Sequence, residues 1–134
     1  MQPRNCGVST ESTGALLLDI TTPLRVVSEA NQREHWAAKA KRQKAHRAAA
    51  HLLILQAQRA LAWPETRKRV LLTRIGARML DDDNLAGAFK AMRDGIADGL
   101  GVNDGSDAVQ WRYAQEKSPG LKINAVRIQI WGMK

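Results

Sequence analysis

Residues 81–101 read DDDNLAGAFKAMRDGIADGLG, and the spacing of their apolar side chains decides the fold. Leu85, Phe89, Met92, Ile96 and Leu100 recur at four, three, four and four residues, the period of an amphipathic helix. The Asp and Asn side chains ahead of Leu85 are good N-caps, and Gly99 and Gly101 supply the stop. Immediately upstream, Val70-Leu71-Leu72-Thr73-Arg74-Ile75 is β-branched enough to be a strand running toward Gly76. Downstream, Val109, Trp111 and Tyr113 alternate with Gln110 and Arg112, which again reads as a strand. A helix between two strands therefore forms the centre of the molecule.

Farther out, Ala15-Leu16-Leu17-Leu18-Asp19-Ile20 is short, apolar and closed by Thr21-Thr22-Pro23, so it predicts a first strand. Ser28-Glu29-Ala30-Asn31 offers N-caps to a run of Ala, Leu, Gln, Lys and Arg that meets neither Gly nor Pro until Pro64, which predicts one long helix or two. Within it His35, Lys39, Arg42 and His46 fall on one stripe, and Ala38, Ala45, Ala49, Leu52 and Leu55 on a different, apolar one. Val126, Ile128 and Ile130 alternate with Arg127 and Gln129, and the turn chemistry of Lys117-Ser118-Pro119-Gly120 predicts a terminal hairpin with the preceding strand. The expected fold is α+β: a loose leader over residues 1–14, then one small domain over 15–134 with a mixed sheet packed against two helices.

Composition narrows the function. The 134 residues are 44% apolar and 25% charged, ordinary for a globular domain, and no window resembles a membrane span or a secretory signal, so a soluble, cytoplasmic protein with no membrane partner is expected. Cys6 is the only cysteine, which excludes an intrachain disulfide and a multi-cysteine zinc site. The net charge of +8 favours a polyanionic partner. From Arg33 to Arg74 eleven Lys or Arg face only Glu34 and Glu65, whereas Asp81, Asp82, Asp83, Asp94, Asp98, Asp104 and Asp107 crowd the next third of the chain.

Asp81 and Asp83, on one side of an extended segment, would bring two carboxylates together; about 6 Å apart they repel by about 3 kcal/mol at an effective dielectric near 20, which a hard divalent cation offsets. Helix capping alone explains the same residues. A calcium loop beginning at Asp81 fails, because its sixth and twelfth positions fall on Ala86 and Met92. Gly99-Leu100-Gly101 lacks the third glycine of a dinucleotide fingerprint and no Walker motif occurs, so no nucleotide cofactor is expected. His35, His46 and His51 are not spaced as zinc ligands of a protease and are expected to be exposed.

The segment from Leu80 to Gln115 resembles the RusA family of phage and prophage Holliday-junction resolvases. The residues that carry the resemblance are Asp81, Asp83, Asn84 and Leu85 after a strand, Lys90 and Asp94 in the following helix, and Asn103-Asp104 ahead of Val109. The resemblance implies a magnesium-dependent endodeoxyribonuclease, manganese substituting, that resolves four-way DNA junctions by paired nicks as a homodimer. It makes Asp81, Asp83 and Asp104 the metal-binding carboxylates, with Asp107 as a further acid, and Lys90 a cation for the transition state. Arg33, Lys39, Arg42, Arg74 and Arg78 are the expected phosphate contacts. The chain departs from the family pattern twice: the family's lysine stands nearer the Asp-Asn element, where this chain has Gly87, and Asn103 replaces the first of two adjacent acids. A basic DNA-binding protein without catalysis, and a metal nuclease for flaps, forks or RNA, are the alternatives.

Overall fold

The computed structural model describes residues 13–27, 36–103, 105–118 and 124–133. The elements in chain order are β1 (Thr13–Thr22), α1 (Trp36–Ala60), β2 (Lys68–Gly76), α2 (Asp82–Ala88), α3 (Lys90–Leu100), β3 (Val109–Lys117) and β4 (Ala125–Met133). The strands form one mixed sheet in the order β1-β4-β2-β3, with β2 and β3 parallel and the other two pairings antiparallel. The α+β class with a mixed sheet is as expected.

Two expectations about topology change. The single helix expected from Asp83 to Leu100 is two helices, because Phe89 takes φ −92° and ψ 0° and its N–H turns back to Ala86 O at 3.2 Å. The break lets Phe89 point into the core, where its ring stacks on Tyr113 at 5.8 Å. The terminal hairpin does not form: β3 joins β2 in parallel and β4 inserts between β1 and β2. Burial explains the exchange. Val126, Ile128 and Ile130 of β4 are fully buried, so β4 belongs at the centre, whereas β3 carries exposed Arg112 and Glu116 and tolerates an edge.

Strand alternation separates the two faces of the sheet. Val70, Leu72, Val126, Ile128 and Ile130 turn to the helical side and close on Ala50 and Ile54 of α1, Leu85 and Ala88 of α2, and Met92 and Ile96 of α3. The opposite face is laced by polar pairs: Arg127 donates to both oxygens of Asp19 at 2.9 and 2.7 Å, and Arg69 donates to Gln110 Oε1 at 2.7 Å.

The inward stripe of α1 is not the one its alanines predict. His46, Ala50 and Ile54 are buried, while Ala38, Ala45, Leu52 and Leu55 are exposed. His46 thus corrects the expectation of exposed histidines; His51 is half-buried and His35 lies outside the described residues. The cause is local to α3. A Cβ on Gly99 would meet Ile54 Cβ at 2.6 Å, and one on Gly95 would collide with Arg47 O and touch Ala50 Cβ. Gly95 and Gly99, one turn apart, form a trough into which α1 presses its Ala50 and Ile54 side, and that close approach sets the helix rotation.

Candidate metal and nucleic-acid site

Asp81 is the N-cap of α2, with φ −63° and ψ 155°, and Asp82 and Asp83 form its first turn. The strand-like alternation expected for Asp81 and Asp83 therefore does not apply, since the chain is already helical at Asp82. As an N-cap, Asp81 behaves unusually. Its backbone carbonyl accepts Leu85 N–H at 2.8 Å, but its carboxylate makes no capping hydrogen bond. An Asp in that position ordinarily stabilises its helix by about 1 kcal/mol through such a bond. Asp81, Asp82 and Asp83 are all exposed, and no ion pair joins them to a Lys or Arg among the described residues. Three carboxylates thus face solvent, with only the positive end of a short helix to temper their repulsion.

The approach to this turn is held at two points. Gln115 of β3 clamps the backbone of Leu80 with both ends of its amide, accepting from Leu80 N–H at 2.8 Å and donating to Leu80 O at 2.7 Å. Arg74 of β2, 9% exposed, donates from Nη1 to Arg78 O and from Nε to Val26 O at 3.3 Å. Burial, with Arg25 nearby, lowers the pKa of Arg74. The expected phosphate contact at Arg74 is accordingly an interior brace that fixes the loop leading to Asp81, and Arg78 contributes its carbonyl to that brace while its own side chain is exposed. Sequence reading missed Gln115; its one signal is its helix-side phase in β3, two residues beyond Tyr113.

Asp107 lies elsewhere. Parallel pairing puts the C-terminal ends of β2 and β3 together at Gly76 and Lys117, next to the Leu80 clamp, and the N-terminal ends together at Lys68 and Val109. Asp107 belongs to the N-terminal end, where its carbonyl accepts Arg67 Nε at 2.8 Å. From Val109 to Gln115 the strand rises by roughly 20 Å at about 3.3 Å per residue, so Asp107 does not join Asp81 and Asp83 within one chain. Asn103, beside it, spends its side chain on the loop, accepting Gly105 N–H at 2.9 Å. Asp104 and Arg33 lie outside the described residues. Among the described residues no three His, Cys, Asp or Glu side chains gather as a metal cage.

Lys90 opens α3 with its side chain 70% exposed and 3.6 Å from Asp94. With Gln43, Lys44, Arg47, Ala91 and Asp94 it lines a groove of about 330 Å³ between α1 and α3. Beyond it Arg47 grips Asp98 through two bonds of 2.7 and 3.1 Å, which hold the Asp98 carboxyl below its ordinary range. Lys39 and Arg42 are half-buried on α1, and Lys41 and Lys44 are exposed. Of the tryptophans, Trp36 is 75% exposed at the start of α1, while Trp63 and Trp111 pack against the core, Trp111 beneath the Arg93 guanidinium at 5.0 Å. No described helix is long and apolar enough to cross a membrane.

No protein-family model, no curated protein and no solved structure matches this chain.

Proposed function

We propose that the chain is a magnesium-dependent, structure-selective endodeoxyribonuclease of the RusA type that cuts branched DNA as a homodimer. The observation that carries this reading is the carboxylate of Asp81: it occupies a capping position without capping, in an exposed triplet whose approach is braced by Gln115 and Arg74. A triplet retained for helix stability alone would spend that carboxylate on a backbone N–H.

The donor set fits a hard dication. Mg2+ is commonly held by one or two carboxylates, with water and substrate phosphate filling its remaining positions, so a carboxylate at the start of α2 has the right chemistry and Asp107 is not required. When bound, the ion supplies an activated water and neutralises charge on the leaving oxygen. The protein's share is positional. Gln115 and Arg74 hold the turn at a fixed height above β3, and the cations of the α1–α3 groove, Lys44, Arg47 and Lys90, draw a phosphate backbone across the helical face. Lys90, tethered loosely by Asp94, is free to swing to a phosphate that gains charge during cleavage.

Incubating the protein with a synthetic four-way junction, with and without Mg2+, tests the reading. Symmetric nicks that need the ion and vanish in Asp83→Asn support it. Tight binding without a nick in Mg2+ or Mn2+ supports a non-catalytic DNA-binding protein, and preference for a flap, fork or RNA duplex reassigns the substrate.

A further inference from the structure

We infer that the cavity at the N-terminal end of β2 is a binding site for a nucleotide unit, an aromatic base carrying a phosphate. The cavity has a volume of about 590 Å³, within the range of small-ligand sites and larger than the α1–α3 groove. Lys68, which lines it, opens β2, and Gly76 closes that strand next to the Leu80 clamp, so the cavity lies the length of β2 away from the Asp81 turn. The proposed cleavage chemistry makes no use of it.

Its walls are fixed before any ligand arrives. The connection from α1 to β2 is tied through its polar groups: Lys68 Nζ donates to Pro64 O at 2.9 Å and to Thr66 O at 2.8 Å. Arg67 Nε donates to Asp107 O at 2.8 Å, and Arg67 O accepts Met133 N–H at 2.7 Å. On the α3 side, Gly101 ends the helix in the left-handed region at φ 73°, and Val102 N–H returns to Ala97 O at 3.0 Å, which sets Leu100 and Val102 in the wall. A ligand entering such a site is spared the cost of ordering it.

The lining selects the ligand. Trp63, Pro64, Leu100, Val102 and Ala108 supply an apolar surface with one aromatic ring, which suits a flat ring system. Arg67 and Lys68 add two cations, and neither forms an ion pair among the described residues. Arg67 spends only Nε, so both Nη groups remain for a forked grip on a phosphate. Lys68 is half-buried with its ammonium on carbonyl oxygens, and burial lowers its pKa, a penalty that a phosphate offsets. Glu65 lines the same cavity with a carboxylate able to accept from an amino group, so guanine, cytosine or adenine is favoured over thymine. Glycine-rich loops, absent from this chain, hold phosphates on backbone amides; here side-chain cations take that part. The site stands without the proposed function. Only the source of the nucleotide, free or at an unpaired position in a DNA strand, rests on it.

Calorimetric titration and backbone amide shifts, both without Mg2+, test the site with dGMP, dTMP, deoxyguanosine and inorganic phosphate as probes. dGMP is expected to bind and to shift Leu100, Val102 and Ala108, dTMP and deoxyguanosine to bind about tenfold more weakly, and phosphate alone to leave those three signals unmoved. Arg67→Gln is expected to weaken dGMP about tenfold, and Glu65→Gln to erase the preference for dGMP over dTMP. Both residues are exposed, and circular dichroism checks that the variants fold. Displacement of dGMP by a single-stranded oligonucleotide assigns the nucleotide to a DNA strand; failure to displace it assigns a free nucleotide. The proposal is overturned, whatever junction cleavage shows, by absence of dGMP binding, by shifts that phosphate alone reproduces, by unchanged affinity in Arg67→Gln, or by a base preference that survives Glu65→Gln.

Discussion

Asp81 is the residue at which two explanations meet, of which the sequence favours capping. A capping aspartate and a ligand aspartate are the same residue in the same position, and the missing bond to the helix N-terminus speaks against the first. If the carboxylate is unspent, Asp81→Ala leaves thermal stability within about 0.5 kcal/mol of wild type, whereas loss of a working cap would cost about 1 kcal/mol; thermal melts read the difference. Gln115→Ala is a different matter. It strands the N–H and carbonyl of Leu80, and a drop of about 1–3 kcal/mol is expected in denaturant titration, together with slower junction cleavage because the acid turn loses its support. Asp19 illustrates the charge side. Its bond to Arg127 holds the carboxyl below its ordinary 3.8, so the pair stabilises the fold above that value, and the contribution is lost as pH falls through the lower, folded value. Asp19→Asn is expected to flatten that part of the acid unfolding curve; unchanged acid sensitivity would contradict the assignment. The Gln115 clamp on Leu80 was not legible, because a lone glutamine in a strand carries no pattern of its own.

At the scale of elements, strands were legible and helix orientation was not. β1, β2 and β3 fall where alternation and β-branching place them, within a few residues at their ends, and the α2–α3 pair occupies the expected span. The break at Phe89 was invisible because the apolar residues keep their helical spacing across it. For α1 the difficulty is alanine itself: it suits either a buried or an exposed face, so the stripe through Ala38, Ala45 and Ala49 carried little weight against a partner able to accept only one side. That partner is set by glycine. Gly95→Ala and Gly99→Ala each force α1 away from α3 and are expected to destabilise by about 1–3 kcal/mol. Gly87, by contrast, has open space where a Cβ would stand, with no neighbour within 4 Å, and Gly87→Ala is expected to stabilise α2 by about 0.5–1 kcal/mol. Urea unfolding of the three variants discriminates between them; equal effects would sink the packing explanation.

At the scale of the whole molecule, Asp81 to Asp83 and the loop of Asn103 and Asp107 lie toward opposite ends of a parallel strand pair. The family resemblance made a single cluster of these acids the expectation. For Asp107 parallel pairing prevents it within one chain, since a crossover returns the chain to the opposite end of the sheet. The cations of α1 and the start of α3 meet in one groove, so on the proposed reading DNA affinity is expected to fall steeply with salt, and Lys44→Ala to lower the slope of that dependence by about one. The most direct measurement of the central claim is Mn2+ titration followed by paramagnetic broadening of backbone amide signals. Residues 80–84 are expected to broaden first, and Asp81→Asn and Asp83→Asn to abolish the effect there. Broadening centred on Asp107, or none near α2, would contradict it.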